Sequence, residues 1–332
     1  MRRLMIAALC LAATLVQART YGWTVVDLGS LGPAGSVPTT INNNGDVAGY
    51  SRSTASTKEG ELYHGFLYQN GAMMDLGKPP SATFAQVTAM NDAGTLAATD
   101  ERGNGHLWKE GTWVPMRFHG KPKAINRVDM VTGTFPLGAG ERAFLYSNGV
   151  ATELGTLGGT KSRGNAINDR GIVVGSATIA GDATSRAFLY DNGEMKDLGT
   201  LGGTYSSAND INNFGVVVGG AYNASNRMTA FVYDLSGMRP LFNAGETSSA
   251  TSINDRGAVV GLVDGGSFLY ENGVLTRLEA LPEVKAAGFS ALFPAGINER
   301  GWITAWGWHA DGKPGSAVLL IPPAIQKVMW RR

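Results

Sequence analysis

The chain has 332 residues, with 28 basic and 27 acidic side chains, a formal net charge of +1, 46 glycines and one cysteine. This balance of charge excludes a broad basic field that would attract nucleic acid or anionic lipid. Because Cys10 lies within a predicted signal peptide, cysteine nucleophiles, thiolate metal sites and disulfides are excluded from the expected mature protein.

The chain begins with the pattern of a secretion signal. Arg2 and Arg3 precede an apolar run over residues 4–16, and Val16-Gln17-Ala18 has the small-residue spacing of a cleavage site. The apolar run is too short to span a bilayer, which needs about 20 residues. We therefore expect residues 1–18 to be a signal peptide cleaved after Ala18. The mature protein is predicted to be secreted or periplasmic, without membrane insertion.

One nonapeptide recurs seven times along the rest of the chain. Most copies begin with Ile-Asn, and they occupy residues 41–49, 90–98, 125–133, 167–175, 211–219, 253–261 and 297–305. The distance from Ile41 to Ile297 gives a period of about 43 residues, which is typical of propeller blades. The sequence therefore predicts seven copies of one β-rich unit.

Each copy predicts two strands joined by a tight turn. In Asn-x-x-Gly, asparagine suits the first position of a type I turn, and glycine supplies a left-handed residue at its end. The third copy has Asp129 in place of that glycine, and we expect Asp129 to be left-handed too. A Phe-Leu-Tyr motif followed by Asn-Gly predicts the third strand and a hairpin, with phenylalanine and tyrosine on one face and leucine on the other.

A motif near Asp-Leu-Gly predicts the fourth strand of each unit, but the seventh copy is missing after Ala317 and stands at residues 24–29 instead. A ring whose last blade takes its fourth strand from the N-terminus has no free ends. We therefore predict an all-β fold over residues 19–323. The expected architecture is a seven-bladed β-propeller of four-stranded antiparallel blades closed by the N-terminal strand. Residues 324–332 form a short tail, and a β-solenoid is the alternative.

Three segments resemble the extracellular HAF-repeat family of bacterial exported proteins, which is defined by glycine-rich repeats and a His-Ala-Phe signature. The segments are 155–160 (GTLGGT) with 165–168 (NAIN), 199–204 (GTLGGT) with 211–212 (IN), and 186–190 (RAFLY). Only His64-Gly65-Phe66 keeps the histidine of the signature, whereas Arg142 and Arg186 replace it in later units. The resemblance implies export and a repeat fold.

In a four-stranded meander, the connections from second to third strand and from fourth strand to the next unit lie on one face. We call this the loop face and the opposite side the turn face. The longer connections all fall on the loop face, at residues 50–65, 78–88, 155–166, 176–186, 199–210, 280–296 and 306–316. Long loops on a rigid scaffold usually carry binding residues, so the loop face is the predicted binding face.

A tryptophan cluster marks the seventh unit. Trp302, Trp306 and Trp308 alternate in sequence, so they share one strand face if the strand persists that far. We expect Trp302 to pack in the core, and Trp306 and Trp308 to lie beyond the strand, in the loop before Ser316, where a flat ring can stack on a sugar. The candidate ligand-binding residues are Trp306, Trp308, His309, Tyr205, Tyr222, Arg186 and His64.

Other motifs favour structural roles. The glycine-rich segment 155–160 lacks the glycine-lysine pair of a phosphate loop, and the Asn-Asp pairs lack the alternating acids of a calcium loop. The four histidines, His64, His106, His119 and His309, have no metal-ligand spacing, and we interpret them as solvated or strand-edge residues. The sequence predicts no catalytic residue, metal or cofactor.

We interpret the chain as an exported, non-catalytic binding or interaction protein, monomeric, that engages an extracellular or periplasmic glycan or protein through the loop face and does not bind nucleic acid. Two alternatives stay open: an extracellular enzyme acting on a polysaccharide or cell-wall polymer, and a structural scaffold. A deep acid-lined pocket would favour an enzyme, a shallow aromatic rim a binding protein, and a smooth polar rim a scaffold.

Overall fold

The fold is all-β. The computed structural model describes residues 22–53, 63–242 and 245–323, so the predicted signal peptide with its cleavage site and the C-terminal tail lie outside the described residues. The described strands form five four-stranded sheets and one eight-stranded sheet. The eight-stranded sheet consists of two four-stranded units joined by one parallel pair, Glu141 with Lys161.

The first four sequence units each supply four antiparallel strands. Unit 1 contains β2 (Ser36–Ile41), β3 (Val47–Arg52), β4 (Tyr63–Gln69) and β5 (Ala72–Asp75). Unit 2 contains β6 (Gln86–Met90), β7 (Leu96–Thr99), β8 (Gly105–Lys109) and β9 (Thr112–Pro115). Unit 3 contains β10 (Lys121–Ile125), β11 (Val131–Leu137), β12 (Gly140–Ser147) and β13 (Val150–Glu153). Unit 4 contains β14 (Gly158–Ile167), β15 (Val173–Ile179), β16 (Ser185–Asp191) and β17 (Glu194–Asp197).

The last three units follow the same plan, and three short helical segments lie in connections of the described chain, one in unit 4 and two between units 6 and 7. Unit 5 contains β18 (Gly202–Ile211), β19 (Val217–Asn223), β20 (Met228–Asp234) and β21 (Gly237–Pro240). Unit 6 contains β22 (Ser248–Ile253), β23 (Val259–Val263), β24 (Gly266–Glu271) and β25 (Val274–Arg277). Unit 7 contains β26 (Phe289–Ile297), β27 (Ile303–His309), β28 (Ser316–Ile321) and the N-terminal β1 (Thr24–Asp27). The helical segments are the 3-10 turns Ala180–Asp182 and Leu278–Ala280 and the helix α1 (Pro282–Ala286).

The displaced N-terminal motif pairs where its position in the repeat predicts. Strand β1 runs antiparallel to β28, with Thr24 opposite Ile321 and Asp27 opposite Val318. The seventh unit therefore takes its fourth strand from the start of the described chain.

The predicted turn chemistry is confirmed. Asn42 O accepts a hydrogen bond from Gly45 N at 3.1 Å, and Gly45 has a φ of +94°. Asp129 replaces the corresponding glycine with a φ of +60°, as its sequence position predicts. The Asn70-Gly71 hairpin has two consecutive positive φ values, 53° and 81°, which is the type I′ geometry that matches the twist of the flanking strands.

Each sheet buries both faces against the neighbouring units. Phe66 is fully buried and packs with Val47 and Tyr68, whereas Leu67 points the opposite way, into a cluster with Val87 of the next unit. The equivalent phenylalanines are also fully buried: Phe144, Phe188, Phe231 and Phe268. Burying such a side chain contributes about 1.5–3 kcal/mol, and here that burial depends on the neighbouring unit.

Two predicted loops are instead mostly strand. Residues 155–166 and 199–210 were expected to be irregular, but β14 begins at Gly158 and β18 at Gly202, so each is ten residues long. Their glycines let the first strand lie against the second where a side chain would collide. A Cβ at Gly203, for example, would come within 2.6 Å of Tyr222 Cβ.

The first strand of every unit carries a β-bulge at the same place. The bulged residues are Thr39, Thr88, Lys123, Asn165, Asn209, Thr251 and Ala295. All seven line one cavity of about 380 Å³, which we call the shared cavity. A bulge turns its residue away from the regular alternation, and here it directs one residue per unit into the shared cavity.

Among the described residues, no helix is long and apolar enough to cross a membrane.

Candidate functional site

The asparagine of the Ile-Asn motif holds the units together. Asn168 Oδ1 accepts the backbone N–H groups of Arg170 and Ile172, both at 3.1 Å, and Asn168 Nδ2 donates to Asn212 O of the next unit at 3.2 Å. Six junctions between units have the same bond, from the Nδ2 of one asparagine to the backbone oxygen of the next. The donor and acceptor pairs are Asn91 and Asn126, Asn126 and Asn168, Asn168 and Asn212, Asn212 and Asn254, Asn254 and Asn298, and Asn298 and Asn42. The asparagine of the motif therefore has a structural role at the junctions between units.

The residue after each asparagine strengthens these junctions on the turn face. Asp169 N donates to Asn213 Oδ1 at 2.9 Å, Asn213 N to Asp255 Oδ1 at 2.7 Å, and Asp255 N to Glu299 Oε1 at 2.9 Å. The amide oxygen of Asn213 and the carboxylates of Asp255 and Glu299 thus accept backbone hydrogen bonds across the junctions. This supports the structural interpretation of the Asn-Asp pairs. Within the described part of the chain, no three His, Cys, Asp or Glu side chains group in a way that could hold a metal ion.

Asp210 is the acidic residue that lines the shared cavity. Burial raises the pKa of Asp210 to about 6, although its oxygens accept hydrogen bonds from Ile211 N, Ser252 Oγ and Ile253 N at 2.8–2.9 Å. Two of these donors belong to unit 6, so Asp210 is a junction residue as well. Lys123 enters the shared cavity from unit 3, and desolvation lowers the pKa of its amine.

The loop face contains a cleft of about 810 Å³ between units 2, 3 and 4, which we call the cationic cleft. Its basic lining consists of Arg102, His119, Lys121, Lys123, Lys161 and Arg163. Glu141 is its one acidic residue. Counting histidine as neutral, five cations and one anion give the cleft a net charge of +4, compared with +1 for the whole chain.

This cleft is a local group of positive charges that the near-neutral total charge of the chain does not predict. The total charge is near zero, but the fold brings five cations and one acid together at this cleft. Lys121 on β10 and Lys161 on β14 are about 40 residues apart in sequence and belong to different units. A whole-chain charge count cannot reveal such clustering, although aligning the repeats on Ile125 and Ile167 places Lys121 and Arg163 at equivalent positions of adjacent units.

Aromatic side chains form a second feature of the loop face, in unit 7. The Trp308 ring lies 5.4 Å from the Trp306 ring at 73°, and the Trp306 ring lies 5.5 Å from that of Phe293. Trp308 is 48% exposed and Phe293 is 40% exposed. Trp306 is half-buried against Gly315. We call these three residues the aromatic cluster.

The position of the aromatic cluster differs from the expectation. Strand β27 continues to His309, so Trp306 and Trp308 belong to a strand and not to the loop before Ser316. The strand persists because β26 is long enough to pair with it as far as Phe289, opposite His309. The cluster is therefore held by a rigid ladder.

Trp302 packs as predicted, although it is only half-buried. It belongs to the hydrophobic cluster that joins unit 7 to unit 1, and its ring occupies the space beside Gly45. The guanidinium of Arg300 lies over the ring at 5.3 Å.

The remaining candidates do not converge with the aromatic cluster. Tyr205 and Tyr222 contact each other within unit 5, with ring centroids 5.5 Å apart. His309 lies against Phe289 and lines a separate cavity of about 470 Å³. Thus the aromatic ligand-binding candidates fall into two separate groups, one in unit 5 and one in unit 7.

His64 and Arg186 bond within their own sheets. His64 Nδ1 lies 2.9 Å from Asp75 Oδ1, and Arg186 Nη1 lies 3.5 Å from Asp197 Oδ2. Arg142 and Glu153 make the same pair at 2.9 Å. In all three units the first residue of the His/Arg-x-Phe signature faces an acid eleven positions later. This constant spacing was a sequence signal for a structural pair, and it was missed.

His106 is not the solvated or strand-edge residue that the sequence suggested. It is only 8% exposed, and its Nε2 lies 3.1 Å from Asp100 Oδ2, which is also buried. His119 Nδ1 lies 3.0 Å from Asn104 Oδ1 on the loop face, at the edge of the cationic cleft.

No protein-family model matches this sequence, and no curated protein matches it significantly. Solved structures do match its fold. The extracellular domain of a B. thetaiotaomicron protein described as a hybrid two-component system is 11% identical, with a TM-score of 0.60, over 89% of this chain and 39% of that chain. Acylaminoacyl peptidase of Pyrococcus horikoshii is 13% identical, with a TM-score of 0.58, over 86% and 51%.

A third similar structure is YCF48 bound to D1 peptide, which is 9% identical with a TM-score of 0.56, over 91% of this chain and 97% of that chain. The chain spans less than two thirds of the length of the first two structures. At these identities the similarity shows the fold alone: an all-β arrangement of four-stranded antiparallel sheets whose neighbours are propeller-type proteins.

Proposed function

We propose that this chain is an exported, non-catalytic binding protein that holds a glycan or protein ligand on the loop face of a closed seven-bladed β-propeller. It acts as a monomer in the periplasm or outside the cell and belongs with the HAF-repeat proteins. The observation that carries the binding function is the aromatic cluster, with Trp308 half exposed on a rigid strand.

Three contacts support closure of the ring. Strand β1 pairs with β28, so the first described strand completes the last unit. Asn298 Nδ2 donates to Asn42 O at 2.9 Å, which joins unit 7 to unit 1. The shared cavity is lined by all seven units. A closed ring buries both faces of every sheet, as the packing of these units requires.

The exposure of the aromatic cluster supports a binding role. A tryptophan on a strand that also packs against Trp306 is held in one orientation, so little conformational entropy is lost when a ligand covers it. Flat apolar rings with a polar edge stack on sugar rings and on aromatic side chains. Tyr205 and Tyr222 place a similar pair at the rim of unit 5.

The comparisons support the same class of function. One similar structure is the extracellular domain of a larger protein, and another was solved with a peptide bound. Both are consistent with an exported chain whose role is recognition.

A glycan and protein array screened with the mature chain from residue 19 tests this proposal. We expect a ligand whose affinity falls at least about fivefold in Trp308→Ala, equivalent to about 1 kcal/mol, while the melting temperature stays unchanged. Phe214→Ala is the matched control, because Phe214 is 74% exposed in a turn-face hairpin.

If Trp308→Ala and Tyr222→Ala both bind the ligand with full affinity, the aromatic groups are not part of the binding site. Cleavage of an array glycan by the purified chain would instead favour the enzymatic alternative.

A further inference from the structure

We propose that the cationic cleft binds an extended acidic segment of a partner protein. The inference deepens the proposed function, because it rests on the loop face being the binding face. It uses residues of units 2, 3 and 4, whereas the aromatic cluster belongs to unit 7. An experiment can therefore contradict one of the two binding proposals without contradicting the other.

The first argument is charge. A cleft with a net charge of +4 in a nearly neutral molecule attracts anions and raises their local concentration. Among the described residues, neither Lys121 nor Lys161 has a carboxylate within the 4.0 Å of an ion pair. Asp182 lies near Lys161, but it accepts hydrogen bonds from Thr160 and Thr178 and serves the local turn. Two ammonium groups are thus available to a ligand.

The second argument is spacing. Lys161 and Arg163 are two positions apart on β14, whereas on β10 the bulge at Lys123 breaks the alternation that begins at Lys121. Alternate residues of a strand are about 6.5–7 Å apart along its axis. An extended peptide has the same repeat, so acidic side chains at every second position match two cations of one strand.

The third argument is the uncharged lining. Phe135 and Pro136 of β11 line the cleft between the two cationic strands, and Phe135 is half-buried. An extended peptide turns its intervening side chains away from its acidic ones, so apolar residues between the acids can cover this surface. A polyanionic glycan would present hydroxyl groups there, and we therefore favour a peptide.

Glu141 gives the proposal an internal test. Its Oε1 lies 2.5 Å from Arg163 Nη2, so Arg163 is engaged before a ligand arrives. A ligand carboxylate has to compete with Glu141 for that guanidinium. Removing the Glu141 charge should therefore strengthen binding, which is the opposite of what removal of a ligand contact would do.

The experiment measures fluorescence anisotropy of a labelled short peptide in which glutamate and valine alternate. We expect the mature protein to bind it, to bind the glutamine analogue at least about tenfold more weakly, and to lose affinity as salt rises from about 50 to about 200 mM. The double variant Lys121→Gln/Lys161→Gln should lose about tenfold in affinity, and Glu141→Gln should gain severalfold. Lys285→Gln, an exposed lysine of α1, is the matched control.

Unchanged affinity in the double lysine variant, with an unchanged melting temperature, would overturn the proposal. So would binding of an oligogalacturonate that depends on Lys121 and Lys161 while the glutamate peptide fails to bind, because the cleft would then select an acidic glycan. An array ligand whose affinity depends on Trp308 but not on these lysines would support the proposed function. The cationic-cleft proposal could then fail without contradicting the proposed function.

Discussion

The side-chain amide of Asn298 donates a hydrogen bond to the backbone carbonyl of Asn42 at 2.9 Å, across 256 residues of sequence. Both asparagines are 3% exposed. The bond between Asn168 and Asn212 at an internal junction is of the same kind. The contact between the last and first units therefore repeats the chemistry that joins consecutive units.

This equivalence predicts equal costs for two substitutions. Asn298→Ala and Asn168→Ala each remove two bonds within a turn and one bond between units, and they leave buried backbone groups without partners. We expect each to lower the free energy of unfolding by about 2–4 kcal/mol, as measured by chemical denaturation. A much smaller loss for Asn298→Ala than for Asn168→Ala would contradict closure of the ring.

The N-terminal strand gives a second prediction. Deleting residues 24–27 removes β1 from β28, together with Val25 and Val26, and uncovers the two apolar clusters on either side of the unit 7 sheet against which these valines pack. We expect the whole protein to melt at a lower temperature, because the loss lies at a junction. Moving residues 22–29 to follow Pro323 should restore the melting temperature, since the strand then continues the seventh unit in repeat order. A deletion variant that melts like the full mature chain would contradict this account.

Alanine substitutions of the three tryptophans of unit 7 should lower the stability of the protein by different amounts. Trp302 fills space between units 7 and 1, so Trp302→Ala should lower the free energy of unfolding by about 2–3 kcal/mol. Trp308 is half exposed, and Trp308→Ala should cost less than about 1 kcal/mol. Trp306 is expected to fall between them, because it is half-buried against Gly315. If all three substitutions lower the stability equally in thermal or chemical denaturation, then all three tryptophans serve packing.

Asp210 predicts a pH dependence of stability. Burial raises the pKa of its carboxyl to about 6 in the folded protein, from about 3.9 in the unfolded chain. Between these values the folded state binds more protons, so its contribution to stability is complete below about pH 4 and is lost as the pH rises through about 6. Asp210→Asn should flatten the stability profile over this window. A difference between the two proteins that stays constant from pH 4 to about 6.5 would contradict the shift.

Processing is the last prediction. The charged start, the apolar run and Val16-Gln17-Ala18 favour cleavage of one bond, and the exported protein should begin at Arg19. Intact-mass measurement of exported material tests this directly. A mass that includes residues 1–18 would show that the segment is retained.

The sequence alone was sufficient to predict the repeat, the order of the strands and the types of turn. Asn-x-x-Gly and Asn-Gly restrict the backbone locally, and the phenylalanine of Phe-Leu-Tyr marks a buried face, so these features do not depend on distant residues. The place of residues 24–27 in unit 7 followed from the missing motif after Ala317, and β1 pairs there.

Tertiary structure decided what the repeats build together. The bond from Asn298 to Asn42 and the clustering of Lys121 with Lys161 join residues of different units, and no local pattern gives their distance. The extent of β27, which includes Trp306 and Trp308, depended on the length of its partner β26. Charge and aromatic surface act through space, so their arrangement on the loop face is set by how the units pack and not by the order of residues within any one of them.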